Sequence, residues 1–309
     1  MLALRTIGLQ QFSQLAWQHK ILPLALLLSA TCVWPGMAAS SPPKLGIEKS
    51  LMWEVSGNGL NQPSYLFGTI HINCENRLKF SPKRQEIFAK AQQIYLELDF
   101  DDPNLQKQIG QNTQMPPGQN LKKLLTAKQY KQARKYFDEK LKLPLDFFST
   151  TRPFILTSLA TPSGLKCPVN SWEEVITKMA KQKKLEIKGL ESVKDQFAVF
   201  DKVSLKEEAA MLMEVINNPS KNKQEFLKLI AAYNNEDLNQ LEKITKSDPK
   251  AKKFIISLLD DRNRKWIPII TREAKSKSTF FGFGAAHLVG SEGVIALLQK
   301  AGYTVKPIK

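Results

Sequence analysis

Two of the three histidines in this 309-residue chain occupy the same setting. Ser64-Tyr65-Leu66-Phe67-Gly68-Thr69-Ile70-His71 and Phe280-Phe281-Gly282-Phe283-Gly284-Ala285-Ala286-His287 each read as an aromatic-rich strand followed by Gly-x-x-His. Imidazole is the commonest metal ligand and a frequent proton carrier near neutral pH. The repeated pattern therefore predicts one site built from two halves of a fold. Gly68 and Gly284, three residues before each histidine, allow a sharp turn or close packing. Glu97 ends the next predicted strand and brings a carboxylate to the same edge. Two imidazoles and one carboxylate can hold a divalent metal and leave a position open for water. Such a metal lowers the pKa of its water and polarises a carbonyl. Asp99 shares a strand face with Glu97 and is a candidate outer partner of the ligands. Arg262 and Asn263, in Leu258-Leu259-Asp260-Asp261-Arg262-Asn263, can bind a carboxylate, either a substrate's or that of Glu97. Each residue also has a plainer role open to it: a hydrogen-bonded structural histidine, a solvent-facing strand glutamate, or one basic residue among 45.

These residues need a frame that gathers strand ends. Met52 to Val55, the turn Ser56-Gly57-Asn58-Gly59 and Tyr65 to Phe67 read as strand, turn and strand. A helix over 82–93 carries Ile87, Phe88 and Ala91 on one face, with Pro82 in its first turn. A strand over 94–98 follows, so residues 64–99 form strand–helix–strand, the unit of a parallel sheet. The C-terminus repeats the unit as a strand over 279–283, Gly-x-x-His, a helix over 293–300 and a strand over 303–307. Between them lies a charged, helical insert of about 104–274. Its predicted helices are 104–112, 119–142, 152–160, 170–184, 192–216, 222–246 and 249–274, with a short strand at 185–189. The expected fold is α/β: a central, mostly parallel sheet built from two strand–loop–helix–strand halves, with a large helical insert. In such sheets ligands bind at the carboxyl ends of the strands, where both histidines fall.

Residues 1–39 read as a signal peptide, with Arg5 and Lys20 ahead of the apolar run Ile21 to Ala30 and small residues up to a cleavage zone at 38–40. The apolar run is about ten residues, short of the ~20 that span a bilayer. An uncleaved anchor is the alternative. Cys32 lacks the small-residue box of a lipoprotein site. Cleavage takes the formal charge from +16 to +14. The mature chain, 40–309, reads as one domain, periplasmic or secreted, without a membrane span. Its lysines are spread over helices, and no nucleic-acid motif accompanies them. Export favours a disulfide between Cys74 and Cys167. Two free thiols, or Cys74 as a ligand three residues after His71, are the alternatives. No His-Glu-x-x-His, serine elbow or phosphate loop occurs, and Gly282-x-Gly284 lacks the rest of a nucleotide fingerprint.

Taken in order, several segments resemble the TraB/PrgY/GumN family. They are Trp53, Tyr65 to His71, Leu96-Glu97-Leu98-Asp99, Gly189-Leu190-Glu191-Ser192 with Gln196, Asp261-Arg262-Asn263, and Gly284 to Gly290. The resemblance spans about 51–307. It implies a fold related to erythromycin-esterase and ChaN-like proteins, with paired halves around one site. It also implies kinship with the animal Tiki proteins, metal-dependent proteases that use these Gly-x-x-His motifs. Carried over, His71, Glu97, Arg262 and His287 become the site. Asn73 departs from the acidic residue common at that place in the family, and Cys74 beside it is unusual. The expected function is an exported metal-dependent hydrolase acting on a peptide or protein. His71, Glu97 and His287 would hold a divalent metal such as Mn, Co or Zn. A non-enzymatic peptide- or polysaccharide-binding protein and a metal-free, esterase-like hydrolase are the competing functions.

Overall fold

The computed structural model describes residues 46–161, 164–247 and 255–309. The signal segment and its cleavage zone lie outside the described residues. The strands are β1 (Met52–Ser56), β2 (Ser64–Thr69), β3 (Asn73–Cys74), β4 (Gln93–Leu96), β5 (Val169–Asn170), β6 (Ile187–Gly189), β7 (Thr279–Gly284) and β8 (Thr304–Ile308). The helices in chain order are α1 (Pro82–Lys90), α2 (Leu105–Asn112), α3 (Leu121–Leu124), α4 (Ala127–Lys135), α5 (Pro153–Ala160) and α6 (Trp172–Gln182). They continue with α7 (Val193–Ala198), α8 (Leu205–Asn217), α9 (Pro219–Asn234), α10 (Leu238–Thr245), α11 (Asp261–Ser276) and α12 (Val294–Lys300). Among the described residues no helix is long and apolar enough to cross a membrane.

The central sheet has six strands in the order β6-β4-β7-β2-β1-β8. The four from β6 to β2 are parallel, and β1 and β8 form an antiparallel edge. The mostly parallel α/β sheet expected from the sequence is thus present. The two histidine strands lie side by side, with Gly68 opposite Phe283 and Thr69 opposite Gly284. This register sends both Gly-x-x-His loops off one end of the sheet. The hairpin from β1 to β2 turns on Gly57, Asn58 and Gly59, all at positive φ. That is a conformation glycine adopts without steric penalty and asparagine tolerates.

The two halves are not a full repeat. β4 follows α1 and runs parallel, as the strand–helix–strand pattern predicts. β8 instead crosses to the far edge and pairs antiparallel with β1, from Met52 opposite Ile308 to Ser56 opposite Thr304. The short strand expected at 185–189 within the insert is present as β6. β6 joins the main sheet beside β4, with Ile94 opposite Ile187. The long helix expected over 192–216 breaks after α7, because Ser204 opens α8 with a capping box to Glu207. Pro219 starts α9 three residues earlier than the apolar pattern suggests.

β2 and β4 are buried along their whole length, and so is β7 apart from Gly284 at its exit. On one face Phe67 and Phe280 meet Phe80, Phe88 and Trp172, with ring centroids 4.6–6.0 Å apart in edge and stacked contacts. Such aromatic pairs add to the burial term. They fix α1 and α6 on that side of the sheet. On the other face Trp266 of α11 packs against Phe283 at 5.6 Å.

Cys74 and Cys167, 93 positions apart in sequence, form a disulfide with Cα atoms 5.6 Å apart. Next to it β3 and β5 pair as a small antiparallel ladder, Asn73 opposite Asn170. The His71 loop is therefore fastened twice to the segment that leads into α6.

Candidate active site

His71, Glu97, Arg262 and His287 all line one cleft at the carboxyl end of β2, β4 and β7. The cavity measures about 120 Å³. Leu229, Tyr233, Leu241, Leu258 and Leu259 give it an apolar wall. The four residues come from separate places in the chain. The first two leave parallel strands, Arg262 sits in the first turn of α11, and His287 closes a short helical turn after β7.

Glu97 is the centre of this cluster and is 5% exposed. Its Oε2 accepts from Arg262 Nη2 at 2.6 Å and from Gln196 Nε2 at 3.0 Å. Its Oε1 accepts the backbone N–H of Gly284 at 2.7 Å. Burial works to raise its pKa, but the Arg262 charge, the two histidines and the Gly284 N–H together outweigh burial and hold the carboxyl well below the usual range. Arg262, 4% exposed, also donates to Glu191 from Nε at 3.0 Å and from Nη2 at 2.6 Å. Burial works against its charge, and the two carboxylates raise its pKa further still. Trp266 lies beneath the guanidinium, 4.7 Å from ring centre to Cζ. Glu191 reaches this place because the backbone N–H groups of Leu190 and Glu191 extend the β4–β6 pairing to the carbonyls of Leu96 and Glu97.

His287 is 3% exposed, and its Nδ1 lies 2.6 Å from Asn263 Oδ1. The amide nitrogen of Asn263 donates to the carbonyls of Glu292 and His287. Asn263 Oδ1 is therefore the acceptor, and Nδ1 carries the ring proton. The lone pair of the neutral ring sits on Nε2, which faces Arg262 Nη1 at 3.1 Å and Glu97 Oε1 at 3.9 Å. Burial first, then the Arg262 charge, lowers the pKa of His287 to about 3.

His71 has a different setting. Its side chain keeps 17% of its surface exposed, and Nδ1 lies 3.1 Å from Oε1 of the buried Glu173. Burial alone would lower its pKa, but Glu173, with the Glu97 charge beyond it, outweighs burial and raises it to about 9. Glu173 comes from the first turn of α6 and has no counterpart among the residues singled out by sequence. A signal for it existed: Glu173 shares a helical face with Ile176 and Ala180, all three buried.

Gly68 and Gly284 serve close approach rather than unusual backbone angles. A Cβ at Gly68 would meet Leu288 Cδ1 at 2.7 Å and Ala285 Cβ at 2.9 Å, so the first motif packs directly on the loop of the second. A Cβ at Gly284 would lie 3.3 Å from Glu97 Oε1. Asp99 does not line the cleft; its Oδ1 accepts from the backbone of Asp101 at 3.3 Å.

In donor type, His71, Glu97 and His287 suit a divalent cation. In placement, no three His, Cys, Asp or Glu side chains among the described residues already stand around one point. Arg262 takes up Glu97 Oε2 and the Nε2 side of His287 instead.

The chain belongs to the TraB/PrgY/gumN family, whose match covers residues 51–307. Similar proteins include the human protein named metalloprotease TIKI1, 25% identical over 350 aligned positions, which cover 91% of this chain and 68% of that protein. Metalloprotease TIKI2 of Xenopus tropicalis is 23% identical, with 83% of this chain and 59% of the relative covered. Metalloprotease TIKI1 of Danio rerio is 22% identical, with 83% and 63% covered. The chain thus spans about 60–70% of the length of these relatives. No solved structure gives a significant match.

Proposed function

We propose that the chain is an exported hydrolase of peptide bonds that uses a divalent metal held by His71, Glu97 and His287. One observation carries the reading. Two histidines from distant parts of the chain line the same strand-end cleft as a buried, ionised carboxylate. The relatives named metalloproteases support the same reaction class. A metal held by these residues would supply Lewis acidity at the substrate carbonyl.

The chain's own residues do the rest. Gln196 and the Gly284 N–H aim the Glu97 carboxylate, and Asn263 fixes the His287 tautomer that leaves Nε2 able to bind. Arg262 sets a permanent positive charge at the cleft, where a peptide carbonyl oxygen turns negative during attack. Glu191 and Trp266 keep that charge in place. The apolar wall excludes water and accepts an apolar part of the substrate.

A second reading has its own support. Arg262 Nη1 stands 3.1 Å from His287 Nε2, on the side a metal would take. A neutral His287 beside a fixed cation suits a metal-free hydrolase in which Nε2 takes a proton from water.

The test is cleavage of a peptide mixture, read as new N-termini by mass spectrometry. It is run with a chelator, with Mn, Co or Zn restored, and with His287→Ala. The metal-dependent reading expects loss with chelator, recovery with metal and no cleavage by the variant. Cleavage that survives the chelator but not His287→Ala selects the metal-free hydrolase. Cleavage that survives both rejects the site. No cleavage under any condition leaves a binding protein.

A further inference from the structure

Glu173 is buried more deeply than its chemistry favours. Its side chain is 3% exposed, and among the described residues the His71 imidazole is its sole ion-pair partner. Among the described residues no lysine or arginine pairs with it, and the hydroxyl of Thr69 is a neighbouring polar group. A buried carboxylate costs several kcal/mol unless a partner offsets it, and an apolar residue of similar size at such a position is often neutral or stabilising. The stripe it shares with Ile176 and Ala180 would accept one.

The surrounding construction delivers this carboxylate to one place. Ser171 caps α6 through the N–H of Glu174 at 3.0 Å. The N–H of Trp172 binds the carbonyl of Ile70 at 3.3 Å, one residue before His71. The Trp172 ring wedges against Phe67 and Phe80 at 4.8 and 4.6 Å. The β3–β5 ladder and the Cys74–Cys167 bridge tie the same two segments together. The first turn of α6 therefore cannot shift without moving the His71 loop.

We propose that Glu173 is the positioning residue of His71, its carboxylate 3.1 Å from Nδ1 holding the ring so that Nε2 serves the cleft. This rests on reading His71 as a working group of that site. A histidine held at one nitrogen by a carboxylate presents the other in a fixed direction and with greater basicity, the arrangement found behind metal-bound and general-base histidines alike. Glu173 therefore does for His71 what Asn263 does for His287, but with a full charge. It acts under either the metal-dependent or the metal-free reading.

The test needs a readout apart from activity, and the scarcity of histidine supplies one. Ring-nitrogen NMR signals of the mature protein are assigned with His71→Ala and His287→Ala. Glu173→Gln keeps the volume and removes the charge; Glu173→Asp keeps the charge and draws it back by one methylene. The expected result is that Glu173→Gln shifts the His71 ring signals and leaves those of His287 in place. Peptide turnover should fall by about 10–100-fold in kcat with KM little changed, since outer partners of working histidines carry effects of that size. Glu173→Asp should recover part of kcat. Should Glu173→Gln not fold, Glu173→Asp alone must move the His71 signals and lower kcat. Unchanged His71 signals in the folded variants overturn the proposal, and so does a kcat within twofold of wild type. If the wild-type protein cleaves no peptide, the hydrolase reading falls, and the NMR result by itself decides the role of Glu173.

Discussion

The two Gly-x-x-His halves share a sequence pattern and a strand exit, yet they hold their histidines in opposite ways. His71 is partly open and rests on an anionic partner, which favours the protonated ring. His287 is sealed between Asn263, Trp266 and the Arg262 cation, which favours the neutral ring. The neighbours come from different parts of the fold. Glu173 reaches the first half from the insert, whereas Asn263 and Arg262 reach the second half from the helix that feeds β7. One motif repeated twice has therefore become two different tools. The partner of the second ring nitrogen decides which tool each is.

The largest expected effect bears on the second half. Arg262→Ala leaves Glu97 and Glu191 buried without their cation, and losing one partner of a buried pair costs about 3–5 kcal/mol. Urea unfolding measures it. A loss under 1 kcal/mol would mean that the second half is not the rigid one. Next comes the clamp on the first half. Replacing Cys74 and Cys167 by serine should cost about 2–4 kcal/mol. It should also shift the His71 ring signals more than those of His287. Equal shifts would show that the clamp does not belong to one half.

The motif glycines sharpen the contrast further. Gly68→Ala forces a methyl group into Leu288 and Ala285 and should cost about 1–3 kcal/mol. Gly284→Ala meets Glu97 Oε1 at 3.3 Å and His287 Cδ2 at 3.6 Å, and should cost less than Gly68→Ala in stability while disturbing the Glu97 carboxylate more. Thermal unfolding ranks them, and the reverse order would contradict the packing described above.

A separate effect is the pH dependence of stability in metal-free protein. The folded pKa of His71 is raised to about 9, so its contribution is fully present below about 6.5 and is lost as pH rises toward 9. The folded pKa of His287 is lowered to about 3, so its contribution is present above about 6.5 and is lost as pH falls toward 3. The histidines alone should give a crest near their ordinary pKa. His71→Gln should remove the alkaline slope and His287→Gln the histidine part of the acid slope. Denaturant midpoints across pH check both. A slope that persists in the corresponding variant would assign it to other groups.

Sequence carried the parts of this arrangement that are local. Histidine is rare enough here for its repeated context to be noticed, and the aromatic strands before it are short, apolar runs bounded by turn residues. Glu97 could be named because it follows a strand directly. The missing parts were those fixed by distant pairing. Glu173 sits in a helix whose end is set by a ladder and a bridge from another segment, and Glu191 by backbone pairing to β4. Sequence periodicity shows that a face is buried, not what it is buried against. The same limit applies to β8, whose alternation fits a strand but does not say which neighbour it takes. The break before α8 was within reach, since Ser204 and Glu207 have the spacing of a capping box.

The bridge between Cys74 and Cys167 has one more consequence. The sheet, Glu97, Arg262 and His287 can come together by folding alone, because non-covalent contacts unite them. The partner of His71 arrives on a segment that a covalent bond secures to the histidine loop. Completeness of the site is thus tied to an oxidation step as well as to a folding step. A chain whose thiols stay reduced would keep its sheet in order and hold its first histidine less firmly.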